Sequence, residues 1–209
     1  MTLDELLQHG RIIPVITLRR VEDAVPLAEA LVAGGVRLLE ITLRTPAGLA
    51  GATAVIRAVP GAMVGIGTIL TPDDLARAVG VGARFALSPG ATPTLLEAAA
   101  AAPIPFLPGV ATASELMRAM EHGFTTCKFF PASLSAVRAM AGPFPAARFC
   151  PTGGVTPNNA AEWLAEPNVV AIGGSWLTPA ADVTAGHWGA IQARAAEATA
   201  LLQNRPQRS

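Results

Sequence analysis

Eight short runs rich in apolar and β-branched residues recur along the chain, and their spacing constrains the fold more than any other feature. They are "RIIPVITL" from Arg11, "RLLEITLR" from Arg37, "MVGIGTIL" from Met63, "RFALSPG" from Arg84, "IPFLPGV" from Ile104, "TTCKFFPA" from Thr125, "RFCPTGG" from Arg148 and "NVVAIGGSWL" from Asn168. Successive starts lie about 20 to 26 residues apart, which leaves room for a strand, a short loop and a helix of about two to three turns. The segments between them read as helices. "VEDAVPLAEALVAGG" spaces its apolar positions helically and stops at Gly34 and Gly35. "TPDDLARAVGVGA", "TASELMRAMEHG" and "TPNNAAEWLAEP" each open on an N-capping threonine, the first and last with proline in the first turn. Repeated strand–helix units require a parallel sheet, and eight of them close most simply into a single-domain (β/α)8 TIM barrel over residues 1–209. The spacing predicts a final helix over roughly residues 187–202, followed by a short, frayed polar tail.

Composition narrows the class. Fifteen basic residues balance fifteen acidic ones, and 51% of the chain is hydrophobic. Such a balance excludes a global pull toward nucleic acid or an anionic membrane. The opening "MTLDELLQHGR" has no apolar signal core, and Pro103, Pro105 and Pro108 interrupt the longest uncharged stretch, so a soluble cytoplasmic protein is expected. Cys127 and Cys150 lie in strand-like runs and read as free buried thiols of a reducing compartment. His9, His122 and His187 fall near helices or helix ends and read as solvated surface rather than metal ligands.

Side chains alternate between the two faces of a strand. In "RLLEITLR", Leu39, Ile41 and Leu43 share the face that packs under helices, so Glu40, Thr42 and Arg44 face the barrel interior. Arg44 then ends its strand at the carboxyl-end mouth, where barrel enzymes bind substrate. In "TTCKFFPA", Cys127 and Phe129 pack outward while Lys128 and Phe130 point in. Thr68 lies on or beside the inner face. Lys128 is the one lysine among the fifteen basic residues, and Glu40 is the one acid in the middle of a predicted strand. Two readings of the pair stand side by side. It is a buried ion pair holding a polar layer, or it is a Schiff-base nucleophile with a proton shuttle. A purely structural pair works equally well with arginine, whereas arginine cannot copy amine chemistry. "PTGGV" and "IGGSW" add paired glycines at corresponding places after the last two strands, a frequent phosphate position in barrels.

With these residues in hand, the chain resembles the 2-keto-3-deoxy-6-phosphogluconate (KDPG) aldolase and 4-hydroxy-2-oxoglutarate (KHG) aldolase family. The resemblance runs from about Leu6 to Trp188 through "ALVAGGVRLLEITLRT", "GIGTILTPDDL", "FALSPGAT", "PFLPGVATASELM", "CKFFPA", "GPFPAARFCPTGGVTPNN" and "IGGSWLTPA". It implies a class I aldolase that needs no metal or other cofactor, works on a small 2-keto acid through an imine, releases pyruvate and assembles as a homotrimer. By position, the resemblance makes Lys128 the imine-forming residue and Glu40 the general acid/base, acting through a water or on the substrate hydroxyl. Arg44 and Thr68 become the carboxylate contacts, Pro89 and Phe130 the walls around the pyruvyl group. Thr152, Gly153, Gly154, Gly174 and Ser175 become the distal phosphate and hydroxyl contacts.

One departure from the family pattern follows "KFFPA", where a longer stretch containing two adjacent glycines is replaced by the shorter "SLSAVRAM"; the balance between phosphorylated and non-phosphorylated substrates stays open there. Two other readings of the residues remain: a non-covalent sugar-phosphate epimerase or isomerase barrel, and a catalytically idle ligand-binding barrel.

Overall fold

Parallel pairing organises the whole of the computed structural model, which describes residues 1–203; the polar tail expected beyond the last helix lies outside the described residues. Nine strands alternate with helices: β1 (Ile12–Ile16), β2 (Leu38–Thr42), β3 (Met63–Gly67), β4 (Phe85–Leu87), β5 (Phe106–Leu107), β6 (Gly109–Val110), β7 (Thr126–Phe129), β8 (Arg148–Pro151) and β9 (Ile172–Gly174). They form a curled α/β sheet in two ladders, one in the order β5-β4-β3-β2-β1-β9 and the other β6-β7-β8. Single parallel bridges from Phe149 to Val169 and from Thr152 to Gly173 link the second ladder toward β9.

The eight expected runs are all present, but the hydrogen-bonded ladders are two rather than one continuous eight-stranded ring. Two interruptions produce this: β8 meets β9 through the single bridges alone, and "IPFLPGV" breaks the other side. It divides into β5 and β6 at Pro108, which has no N–H to donate. Its carbonyl still accepts the backbone N–H of Lys128 at 2.9 Å, so β7 stays aligned with the chain on either side of the break.

Helix starts follow the expected chemistry. Thr71 and Asp74 form a reciprocal capping box ahead of the helix Pro72–Gly80, and Thr112 and Glu115 do the same for Ala113–Glu121. "VEDAVPLAEALVAGG" departs slightly: it opens with a 3₁₀ turn, Val21–Asp23, before the α-helix Ala24–Ala33. The last helix runs Trp188–Gln203 and docks on Ala24–Ala33, where Thr199 Oγ1 donates to the Gly34 carbonyl at 3.1 Å. Among the described residues, no helix is long and apolar enough to cross a membrane.

Alternation divides the core in two. Ile12, Leu39, Ala86, Phe106, Phe149 and Ile172 belong to the large cluster packed under the helices. Their chain neighbours Ile13, Leu38, Phe85, Leu87, Leu107, Cys150 and Ala171 form a second, smaller cluster with Leu6 of the helix Leu3–Leu7. Because neighbouring strand residues face opposite ways, this smaller cluster fills the concave side of the sheet. Leu38, Cys150 and Ala171 each precede a polar or glycine position, Glu40, Thr152 and Gly173, by two residues. The concave side is therefore apolar at the amino ends of the strands and polar toward their carboxyl ends.

Candidate active site

Glu40 and Lys128, 88 positions apart in the chain, meet on that concave side just above the apolar layer. Lys128 Nζ donates to Glu40 Oε1 at 2.9 Å. Lys128 is 2% exposed and Glu40 0%, so the pair is withdrawn from water and its electrostatic coupling is strong. The second carboxylate oxygen, Oε2, is buried and has no protein hydrogen-bond partner among the described residues. At 2.9 Å the amine and the carboxylate stand within hydrogen-bond reach, the geometry that a lysine nucleophile with a neighbouring acid/base requires.

Local sequence dictates both positions. Cys127 and Phe129 pack into the helix-side core, as expected, which turns Lys128 to the other face. Leu39 and Ile41 do the same for Glu40. In the ladders Lys128 stands between Gly109 and Cys150, and Glu40 between Val15 and Gly65. Three glycines make the polar layer possible. A Cβ at Gly67 would overlap the Glu40 carboxylate, one at Gly173 would overlap Thr152 Oγ1, and one at Gly109 would overlap the backbone of Pro89. Sequence reasoning missed Gly67 and Gly109 and read Gly173 only as half of a phosphate-position pair, although Gly65 and Gly67 in "GIGT" alternate on one face of β3, beside the strand that carries the buried acid.

The structure brings most of the other expected residues together in one cleft, which Phe130 connects to the pair although neither Lys128 nor Glu40 lines it. A cleft of about 170 Å³ is bounded by Arg44, Phe130, Thr152, Gly153, Gly154, Gly174 and Ser175 together with Val15 and Val155. Lys128 Nζ lies 5.9 Å from the centre of the Phe130 ring. A second cavity of about 250 Å³, bounded in part by Thr17, Arg44, Ser175 and Thr178, shares Arg44, Ser175 and Val15 with the first. Arg44 itself is exposed and sits two residues past the end of β2, so the expectation that it ends the strand is corrected by a turn that begins at Leu43. Its Nε donates to Thr68 Oγ1 at 3.3 Å. Thr68 has φ +61°, the only positive φ at a non-glycine among the described residues. A β-branched side chain there is strained, and such strain persists where the surroundings enforce it. Pro89 does not border the cleft; it is placed beside the lysine's ladder neighbour through its close approach to Gly109.

The two glycine pairs are not equivalent, contrary to expectation. Gly153 and Gly154 adopt φ +84° and +92°, which side-chain-bearing residues rarely do, while Gly173 and Gly174 have ordinary backbone angles. The first pair forms a true loop. Its carbonyls are engaged, Gly153 by the Ala132 N–H at 3.0 Å and Gly154 by Asn159 Nδ2 at 3.0 Å, which fixes the conformation. In the second pair Gly173 makes room for Thr152, and Gly174 lies against the Trp176 ring while still bordering the cleft.

Neither cysteine joins the chemistry. Both thiols are free and buried, and burial pushes each up to about 12. The histidines stand at helix ends, His9 and His122 half-buried and only His187 at the surface expected of all three, where its Nδ1 lies 3.1 Å from Asp182 Oδ1. No group of three or more His, Cys, Asp or Glu side chains is gathered as a metal site requires among the described residues.

Comparison with known proteins places this geometry in context. Residues 3–194 match the family model described as KDPG and KHG aldolase. The KHG/KDPG aldolase of Escherichia coli K12 is 48% identical over 199 residues, covering 93% of each chain. The 2-dehydro-3-deoxy-phosphogluconate aldolase of Dickeya dadantii is 46% identical over 201 residues, covering 94% of each. Among solved structures, a KDPG aldolase from Legionella pneumophila, with pyruvate captured as a covalent carbinolamine, superposes with a TM-score of 0.90 at 41% identity, over 93% of this chain and 96% of that one. The Zymomonas mobilis enzyme with 3-phosphoglycerate gives a TM-score of 0.88 at 42% identity, over 95% of both chains.

Proposed function

This chain belongs to the KDPG and KHG aldolase family, and on that premise we propose that it is a class I lyase cleaving 2-keto-3-deoxy-6-phosphogluconate to pyruvate and glyceraldehyde 3-phosphate. The observation that carries the reading is the buried 2.9 Å contact between Lys128 Nζ and Glu40 Oε1, which joins the chain's one lysine to a strand-borne carboxylate.

The Lys128 amine adds to the C2 ketone to form a carbinolamine, which loses water to give a protonated imine. Glu40 takes the C4 hydroxyl proton, directly or through a water. The C3–C4 bond breaks, its electrons pass into the iminium as an enamine, and the aldehyde fragment departs. Protonation of the enamine at C3 and addition of water to the imine then release pyruvate and restore the amine. Since the imine serves as the electron sink, the cleavage calls for no metal ion.

Arg44, coupled to Thr68, binds the pyruvyl carboxylate and so holds C2 near the amine. Phe130 and Pro89 exclude water around the imine. Thr152, Gly153, Gly154, Gly174 and Ser175 take the distal hydroxyls and phosphate, with the positive-φ glycine loop supporting an anion subsite. The shortened "SLSAVRAM" forms the helix Leu134–Met140 beside this subsite, capped by Ser133. It bears on a second substrate, 4-hydroxy-2-oxoglutarate, which the same steps cleave to pyruvate and glyoxylate. Pro108 as the sole chain break between β5 and β6, and the Thr152–Gly173 bridge, support treating the two ladders as one (β/α)8 barrel in a single domain. A cytoplasmic homotrimer working in the Entner–Doudoroff route fits the same reading, with a small-molecule substrate and no nucleic-acid or membrane partner.

Borohydride reduction in the presence of pyruvate tests it. A reduced pyruvyl adduct mapped by mass spectrometry to Lys128 is expected, and no other lysine exists to confuse the assignment. Turnover without an adduct would point instead to non-covalent chemistry. Absence of both adduct and turnover on phosphorylated and non-phosphorylated substrates would leave an idle barrel.

A further inference from the structure

Gly67 closes β3 and pairs with Thr42 in the ladder. Two ladder positions earlier, Glu40 pairs with Gly65, and its side chain leans along the strand until its carboxyl end lies over Gly67. A methyl carbon at position 67 would overlap Oε1 and would stand 2.6 Å from Cγ and 2.7 Å from Cδ of Glu40. Those distances are shorter than real side-chain carbons adopt. The neighbour that would have to yield is not a free chain end but a carboxylate with no solvent exposure, whose Oε1 also accepts from Lys128. The oxygen that a methyl at position 67 would displace is thus the one that holds the ion pair. Lys128 supplies a hydrogen bond to Oε1, and Gly67 leaves the space that Oε1 occupies.

We propose that Gly67 is a positioning residue for Glu40: the missing side chain at this position sets where the general acid/base lies relative to Lys128. The proposal rests on the aldolase reading and extends it to a residue that touches no substrate. It separates the two glycines of "GIGT" by task. Gly65 admits the Phe85 ring in the apolar layer below, and Gly67 admits the carboxylate in the reacting layer.

The test compares four proteins: wild type, Gly67→Ala, Glu40→Ala and the double variant. Each is assayed for retro-aldol kcat and KM with the phosphorylated 2-keto acid, and for its thermal midpoint. Gly67→Ala is expected to lower kcat by about tenfold or more, toward the 10²–10⁴-fold contribution of a general acid/base, while KM stays within about twofold. In the Glu40→Ala background, where the added methyl has room, the same substitution is expected to change kcat by less than about twofold and to lower the melting temperature no further. An equal fold-loss of kcat in both backgrounds would overturn the proposal. So would a raised KM with kcat intact, which would locate the disturbance at the adjacent Thr68 instead. If wild type itself does not cleave the substrate, the proposed function falls, and the melting cycle decides the Gly67–Glu40 contact by itself: a loss of equal size in both backgrounds refutes it.

Discussion

Replacing Lys128 by Met keeps a linear side chain of similar volume but strands a carboxylate. At 2.9 Å and an effective dielectric of about 20, the gross attraction between the two charges is about 6 kcal/mol. Most of that is offset by the cost of taking both charges out of water, so the pair as a whole stabilises little. Removing one partner is a different matter, because the other stays buried and uncompensated; such breaks cost about 3–5 kcal/mol. For a chain of this length each kcal/mol shifts the melting point by about 2–4 °C, so Lys128→Met should melt about 6–20 °C below wild type. The double variant Lys128→Met/Glu40→Met replaces both charges with apolar chains and should return to within about 1 kcal/mol of wild type or exceed it. Thermal and urea unfolding followed by circular dichroism, at one protein concentration, measure the difference. A Lys128→Met protein melting within about 2 °C of wild type would refute the reasoning, as would a double variant no more stable than the single one. On the proposed mechanism both proteins also lose covalent trapping of pyruvate.

Three further outcomes follow from other positions. Thr68→Gly removes a strained β-branched residue at φ +61° and should raise stability by about 1 kcal/mol, while the lost hydroxyl contact to Arg44 raises KM; calorimetry and kinetics on one preparation check both. Cys127 and Cys150, whose thiols burial holds at about 12, should resist a disulfide-exchange reagent at pH 8 in the folded protein and react fully in denaturant; rapid labelling of either in native buffer contradicts their burial. The backbone N–H of Ala111 foremost, then Thr112, holds Glu115 below its ordinary value of 4.5. Its contribution is therefore present above that value and lost as pH falls through the lower folded one, so Glu115→Gln should flatten the stability profile between about pH 5 and pH 3.

How far the chain could be read in advance depended on what kind of information each feature needs. Glu40 and Lys128 were legible because a charge inside an apolar run, with hydrophobic residues on both sides, can only face the opposite side of the strand. The eight runs were legible by the same alternation. Pro108 was not: the run around it has strand-like composition throughout, and only the ladder reveals that a missing N–H divides it. The glycines resisted for a related reason. Gly67, Gly109 and Gly173 are needed by side chains or backbone on neighbouring strands, and which residue lies across is a matter of register, invisible from spacing along the chain. That is also why "PTGGV" and "IGGSW" look alike on paper and yet differ in backbone conformation and in task. Thr68 lies at the far limit of such reading, since nothing in "GIGTIL" announces a left-handed threonine.

The plug of hydrocarbon formed by Leu6, Leu38, Phe85 and their companions fills the sheet's concave side beneath Lys128, so on the proposed mechanism substrate arrives from the carboxyl-end mouth. Whatever is bonded to Lys128 then sits at the dead end of that mouth, and whatever is cleaved from it lies between that dead end and the water outside. Departure is therefore a queue: the aldehyde leaves first, the keto acid second. Free pyruvate should accordingly occupy the empty enzyme and compete with incoming substrate, whereas the aldehyde should rebind only to enzyme that still carries the enamine.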